Sequence, residues 1–263
     1  MNQPNNAKLE ALKKSWQQKK AINDKLDKIR FKIGVYSGKG GVGKTTVAVN
    51  LAVSLGNKDK QVGILDTDVD CPNVPKIIGV HQDAIYQNGV ITPGQAFGVK
   101  VVSMGFFQEN EEEAIIWRGP MIHNAINQFL QTTEWGDLDI LVVDLPPGTS
   151  DAPLSVMQNL QLDGFVVVTT PHELAKLDAK RSINMIRKMN VDVIGVVENF
   201  SGGQFGSGGG ESLAQEMDVP FLGCINLRDD YQLMDSPTIV KNKEANAEYE
   251  IIASQVLSSL NNK

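Results

Sequence analysis

Gly38-Lys39-Gly40-Gly41-Val42-Gly43-Lys44-Thr45 is the stretch that decides the fold. It fits the pattern G-x-x-x-x-G-K-[ST], and both flanks suit it. The apolar run Ile33–Ser37 before it reads as a strand, and Thr46–Leu55 after it reads as a helix. A phosphate-binding loop needs that context. Its glycines let backbone N–H groups turn inward onto phosphate oxygens, and the helix N-terminus adds partial positive charge. In such a loop Lys44 reaches the β- and γ-phosphates, and the Thr45 hydroxyl ligates Mg²⁺.

Working outward, strand and helix signals alternate. Besides Ile33–Ser37, strand-like runs are Val62–Asp66, Val99–Met104, Ile140–Asp144, Phe165–Thr169, Val193–Val197 and Phe221–Ile225. Most are continuously apolar, as expected of strands buried on both faces of a parallel sheet. Met121, Ile122, Ala125, Ile126, Phe129 and Leu130 make one amphipathic helix face. Thr170-Pro171-His172-Glu173 reads as a helix start with Thr170 as N-cap. A last helix runs through Tyr249, Ile252, Val256 and Leu260. This alternation specifies an α/β fold with a doubly wound, mostly parallel sheet and ligands at the carboxyl ends of its strands. Asp144 and Asp66 sit at such ends, with Asp68 just beyond. Asp144 occupies the place of a Walker-B carboxylate near Mg²⁺. Asp66 and Asp68 are placed to position water or the metal shell. Two stretches break the pattern: the glycine-rich Ser201–Gly210 and the acidic Glu109–Glu113, both expected to be loops.

Length and composition agree with one ATPase domain over residues 31–263 and a helical appendage over 1–30. The chain has 263 residues, 41% hydrophobic and 21% charged, enough for a sizeable core. Residues 1–30 hold eight Lys and Arg against three Asp and Glu. That is +5, leaving −11 for the rest of a chain whose total is −6. The acidic balance argues against nucleic-acid coating. Leu9, Leu12, Trp16, Ile22, Leu26 and Ile29 recur at mostly helical spacing between the charges. That helix is read as lying against the body, or alternatively as meeting a membrane surface or a partner. No apolar run reaches transmembrane length, and the polar start has no signal-peptide core, so a cytoplasmic protein is expected. Cys71 and Cys224 are the two cysteines, too few for a disulfide framework or a cysteine-rich metal module.

These residues resemble a known group. Gly38 to Thr46, G-K-G-G-V-G-K-T-T, is similar to the deviant Walker A of the MinD/ParA/ArsA/nitrogenase-iron-protein class. Further segments resemble the Mrp/ApbC family of iron–sulfur cluster carriers. They are Leu65-Asp66-Thr67-Asp68 leading to Cys71-Pro72-Asn73, Trp117-Arg118-Gly119-Pro120, and Val143-Asp144-Leu145-Pro146-Pro147-Gly148-Thr149. Gly195-Val196-Val197-Glu198-Asn199-Phe200-Ser201 and Gly208-Gly209-Gly210 continue the series. The resemblance spans about residues 31–260. It implies a homodimer sandwiching two ATP molecules, with ATP bound by Gly38 to Thr46 and by Asn199 at the adenine. Lys39 would contact the partner subunit's nucleotide, and Asp68 would position the attacking water. Asp66 and Asp144 would join Thr45 in the Mg²⁺ shell.

One departure bears on cargo. The family's carriers hold a [4Fe–4S] cluster on a C-x-x-C, but the corresponding interval here is Gly202-Gly203-Gln204-Phe205-Gly206-Ser207. Four thiolates are the usual requirement. Cys71, in the loop after Asp68, is the better candidate ligand; Cys224, in a strand-like run, reads as a buried small hydrophobe. The leading expectation is an ATPase of iron–sulfur cluster assembly or transfer, acting on an apoprotein or assembly factor. The alternatives are a cluster-free, ATP-switched scaffold and a MinD- or ParA-like positioning ATPase. The tail Ser258–Lys263 lacks a basic amphipathic anchor, which argues against the last.

Overall fold

β1 (Ile29–Tyr36) runs up the middle of the sheet and delivers the chain into the glycine loop. The structure, a computed structural model, describes Glu10, Lys13, Trp16, Gln17 and residues 20–80, 82–107, 119–232 and 235–262. Half of the N-terminal extension, the Glu109–Glu113 stretch and Trp117-Arg118 therefore lie outside the described residues. β1 is flanked in parallel by β7 (Leu138–Asp144) and β8 (Gly164–Thr169). β2 (Val62–Asp66) and β6 (Val99–Ser103) extend the β7 side. β9 (Val193–Ser201) and β10 (Phe221–Asn226) extend the β8 side. A short antiparallel strand, β5 (Gly94–Ala96), closes the edge beside β6. The sheet order is β10-β9-β8-β1-β7-β2-β6-β5, and a separate hairpin pairs β3 (Ile85–Gln87) with β4 (Val90–Thr92). This is the doubly wound, mostly parallel α/β sheet that the sequence predicts.

Period-2 alternation feeds a core on each face. Ile140 and Val142 of β7 point to one core, and Leu141 and Val143 to the other. Both faces are covered, which explains why the strands read as unbroken apolar runs. On the first face lies α1 (Lys44–Gly56), with Val47 to Leu55 all buried between the sheet and the last helix, α8 (Lys243–Asn261). Its one buried amide, Asn50, is satisfied: Oδ1 accepts from Ile239 N at 3.0 Å and Nδ2 donates to Thr46 O at 2.8 Å. α3 (Gly119–Thr132), α5 (Glu173–Lys188) and α6 (Gly209–Glu216) cover the second face, through Ile126, Leu130, Ile183 and Leu213. α4 (Asp151–Leu160) joins them with Val156 and Leu160. Two short helices, α2 (Val74–Ile78) and α7 (Thr238–Lys241), pack at the α1 side. Residues 20–26 are helical. Their Ile22 and Leu26 are buried in the second core, and Lys25 reaches Glu134 at 2.6 Å.

Three local expectations are corrected. The cap of α5 is His172, not Thr170: His172 has extended backbone, and its Nδ1 accepts from Leu174 N at 3.2 Å. Pro171 packs its backbone against Gly209, where a Cβ would meet Pro171 O at 2.7 Å, and the chain bends at Pro171 and His172 before the helix begins. The Ser201–Gly210 stretch is not all loop. Ser201 closes β9, residues 203–205 form one 3-10 turn, and Gly209 and Gly210 open α6. The cause is the buried carboxylate of Glu198, which accepts from Ser201 Oγ at 2.7 Å, Gly208 N at 3.1 Å and Gly210 N at 2.5 Å. Cys224 is exposed rather than buried, because β10 is an edge strand with one side open.

Candidate nucleotide site

The carboxyl edge of the sheet places the predicted residues side by side. Asp144 ends β7 and is in register with Asp66 at the end of β2, which is in register with Ser103 at the end of β6. The glycine loop leaves β1 immediately beside them. Two glycines are there for space. A Cβ on Gly38 would fall on the backbone carbonyl of Asp178 in α5, and one on Gly43 would strike Nδ2 of Asn199. Gly43 also has φ 78°, a left-handed conformation that side chains disfavour.

Lys44 and Thr45 then turn onto Asp144. Lys44 Nζ donates to Oδ1 at 2.6 Å and Thr45 Oγ1 to Oδ2 at 2.8 Å. Lys44 is 6% exposed and Asp144 0%, so the ion pair is buried. Thr67 fastens β2 to the end of β7, its hydroxyl donating to Asp144 O at 2.8 Å. Asp66 is also fully buried. Its Oδ1 accepts from Asp68 N at 3.1 Å, and its Oδ2 accepts from Val74 N at 3.2 Å and Ser103 Oγ at 2.9 Å. Burial pushes its carboxyl up to about 8, and the Asp144 charge adds to the rise, against Lys44, Ser103 and the Val74 N–H. Burial likewise raises Asp68, with Lys44 opposing. Asp68 Oδ1 accepts from Cys71 N at 3.2 Å, which fixes the loop that carries the cysteine.

A cleft of about 560 Å³ opens over these groups. Lys39, Gly40, Gly41, Gly43, Lys44, Thr45 and Thr46 line one wall; Asp68, Cys71 and Phe200 are among the others. Asn199 lies behind the loop, fully buried, donating to Val42 O at 2.9 Å, with Oδ1 lacking a partner among the described residues. Cys71 and Cys224 do not come together in one site: the first is exposed in the cleft, the second on β10. Cys224 has its thiol pKa raised by desolvation and by the charges of Glu198 and Glu248, which disfavours the thiolate that iron requires. Among the described residues no group of three or more His, Cys, Asp or Glu is placed to hold a metal ion. Ser103 and Phe200 join the site without a sequence motif of their own. A polar residue ending a strand beside Asp66 was the available signal for the first. The second had only its place next to Asn199.

A glycine loop between β1 and α1, facing strand-end carboxylates on a parallel sheet, defines the P-loop nucleoside triphosphatase class. Residues 28–260 match the ParA family model, described as NUBPL iron-transfer P-loop NTPase, and the chain belongs to that family. It is 39% identical over 265 aligned positions to the iron-sulfur cluster carrier protein of Methanocaldococcus jannaschii, covering 94% of this chain and 91% of the relative. The protein of the same name from Pyrococcus horikoshii is 45% identical, covering 78% and 76%. Among solved structures, a nucleotide-binding protein from Archaeoglobus fulgidus in complex with ADP is 36% identical, with a TM-score of 0.71 over 82% of this chain and 90% of that one. The cell division ATPase MinD of Pyrococcus furiosus, 22% identical at a TM-score of 0.68 over 87% and 99%, shares the fold. Among the described residues no helix is long and apolar enough to cross a membrane.

Proposed function

We propose that the chain binds and hydrolyses ATP with Mg²⁺, as a homodimer, in the assembly or transfer of iron–sulfur clusters. The observation that carries the nucleotide part is the convergence of Lys44 and Thr45 on the buried Asp144 at the mouth of the cleft. Thr45 and Asp144 offer hard oxygens 2.8 Å apart at a helix N-terminus, a donor set that suits Mg²⁺ alongside phosphate oxygens. Bound there, Mg²⁺ would neutralise phosphate charge. Lys44 would exchange Asp144 for the β- and γ-phosphates, Asp68 would orient the attacking water, and Asp66 would support the metal shell. Lys39, half-buried in the cleft wall, would act on the partner subunit's nucleotide. Asn199 would hold the base end. The cluster part is supported by family membership and by the names of the relatives.

A second reading keeps the ATPase and drops the cluster. It is favoured by the cysteine-free Gly202–Ser207 turn and by the separation of Cys71 from Cys224. Anaerobic iron–sulfur reconstitution of wild type, Cys71→Ala and Cys224→Ala, read by absorbance and iron content, decides between them. A stoichiometric cluster lost in Cys71→Ala supports the carrier. No cluster in a wild-type sample that still binds ATP supports the scaffold.

A further inference from the structure

We propose that Phe200 is the stacking wall for the nucleobase, a residue that with Asn199 makes the cleft a nucleotide site rather than a polyphosphate site. The inference rests on the nucleotide reading above and adds a residue to it. Among the described residues lining the cleft, Phe200 is the only aromatic; the rest are small, polar, charged or proline. Its position fits the direction a nucleotide must take. The phosphate end is set by Lys44 and Thr45, and the carboxylates of β7 and β2 lie to one side of β1. Phosphates carry the charge that Lys44 and a cation compensate there, so sugar and base leave toward the other side. Phe200 stands on that side, at the end of β9, two strands from β1, or about 10 Å at ordinary strand spacing.

The ring is held in place rather than merely present. Phe200 has φ 57°, a left-handed conformation rare for a bulky residue. Tyr231 packs edge-on against it, with ring centroids 6.2 Å apart and planes at 72°. Tyr231 follows Arg228, whose guanidinium forks onto Glu248 of α8 with two 2.7 Å bonds. The Phe200 ring tip also reaches the phosphate loop, 3.0 Å from where a Cβ on Gly43 would be. It is half-buried, with the cleft on its free side.

The last contact offers a purely structural role, as a prop for Gly43, and the test separates the two. Calorimetry with Mg²⁺ measures ATP and inorganic tripolyphosphate binding to wild type, Phe200→Ala, Phe200→Leu and Phe200→Trp. Stacking predicts that wild type prefers ATP, and that the Ala and Leu variants lose about tenfold in ATP affinity with tripolyphosphate unchanged. Trp restores the preference. Leu fills the volume without a π-face, so it covers the case in which Ala fails to fold. Equal losses for both ligands, or no loss for ATP, overturn the stacking role while leaving the nucleotide site standing. A wild type that binds tripolyphosphate as tightly as ATP also overturns it. A wild type that binds neither ligand overturns the nucleotide reading itself.

Discussion

Asp144→Asn removes one charge from a pair that has almost no contact with water. Lys44 Nζ lies 2.6 Å from the carboxylate, with the two side chains 6% and 0% exposed. Removing one partner of a buried pair costs about 3–5 kcal/mol, because the other charge is left uncompensated. Two features reduce that here. The asparagine oxygen still accepts one hydrogen bond, from Lys44 or Thr45. Asp66 is the second: burial chiefly, and the Asp144 charge in addition, raise its carboxyl to about 8, so losing that charge eases its ionisation beside Lys44. The expected net cost is about 2–3 kcal/mol. For a chain of this size that is roughly 4–12 °C in Tm. Circular-dichroism melts in metal- and nucleotide-free buffer measure it. The double variant Lys44→Met/Asp144→Asn is expected to melt above Asp144→Asn, since both charges are then gone. An Asp144→Asn protein within about 0.5 kcal/mol of wild type would refute the reasoning, and so would a double variant less stable than the single one.

Lys44→Ala should abolish ATP binding in calorimetry, whereas Lys39→Ala should keep binding and slow hydrolysis. A Lys39→Ala phosphate-release rate equal to wild type would remove its role toward the partner subunit. Gly38→Ala should cost about 1–3 kcal/mol or more in a urea melt, since the new methyl lands on backbone, not on a side chain that can swing away. An unchanged midpoint would contradict that close approach. Asp66 gives a pH dependence. Its carboxyl is raised to about 8 in the folded protein, so the native state keeps a proton that the unfolded chain gives up near 4. Its contribution to metal-free stability should therefore fall as pH climbs from about 4 to about 8, so wild type should lose stability relative to Asp66→Asn over that interval. An Asp66→Asn protein whose melting temperature changes with pH as wild type does would be incompatible with the raised carboxyl.

The phosphate loop, Asp66, Asp68 and Asp144 were legible because their signal is local. Each carboxylate ends or just follows a continuous apolar run, and the loop carries its own motif between a strand and a helix. What escaped depends on contacts made across the chain. Ser103 becomes part of the site only because β6 pairs in register with β2. Glu198 caps α6 by reaching backbone N–H groups ten and twelve residues on, which no capping pattern anticipates. Cys224 is exposed because β10 happens to be an edge, a property of strand order rather than of the run Phe221–Ile225. β3, β4 and β5 are three residues each, too short for a period to show. α4 begins Asp151-Ala152-Pro153 two residues after Pro146-Pro147-Gly148, where proline and glycine read as loop.

The end of β9 connects the two halves of the functional problem. Four consecutive residues there face different tasks. Glu198 and Ser201 hold the glycine turn, Glu198 gripping Gly208 and Gly210 as well. Asn199 holds Val42 O in the phosphate loop, and Phe200 walls the cleft. A ligand that moved Val42 would therefore pull on a strand end that also anchors the turn, and that turn presents Phe205, half exposed, at the surface. The chain has this linkage whether the turn meets an iron–sulfur acceptor or another protein surface. Nothing in it depends on cysteine, because the anchoring is done by a carboxylate and backbone N–H groups. The missing C-x-x-C thus leaves in place the hydrogen bonds that tie this turn and the phosphate loop to the end of β9.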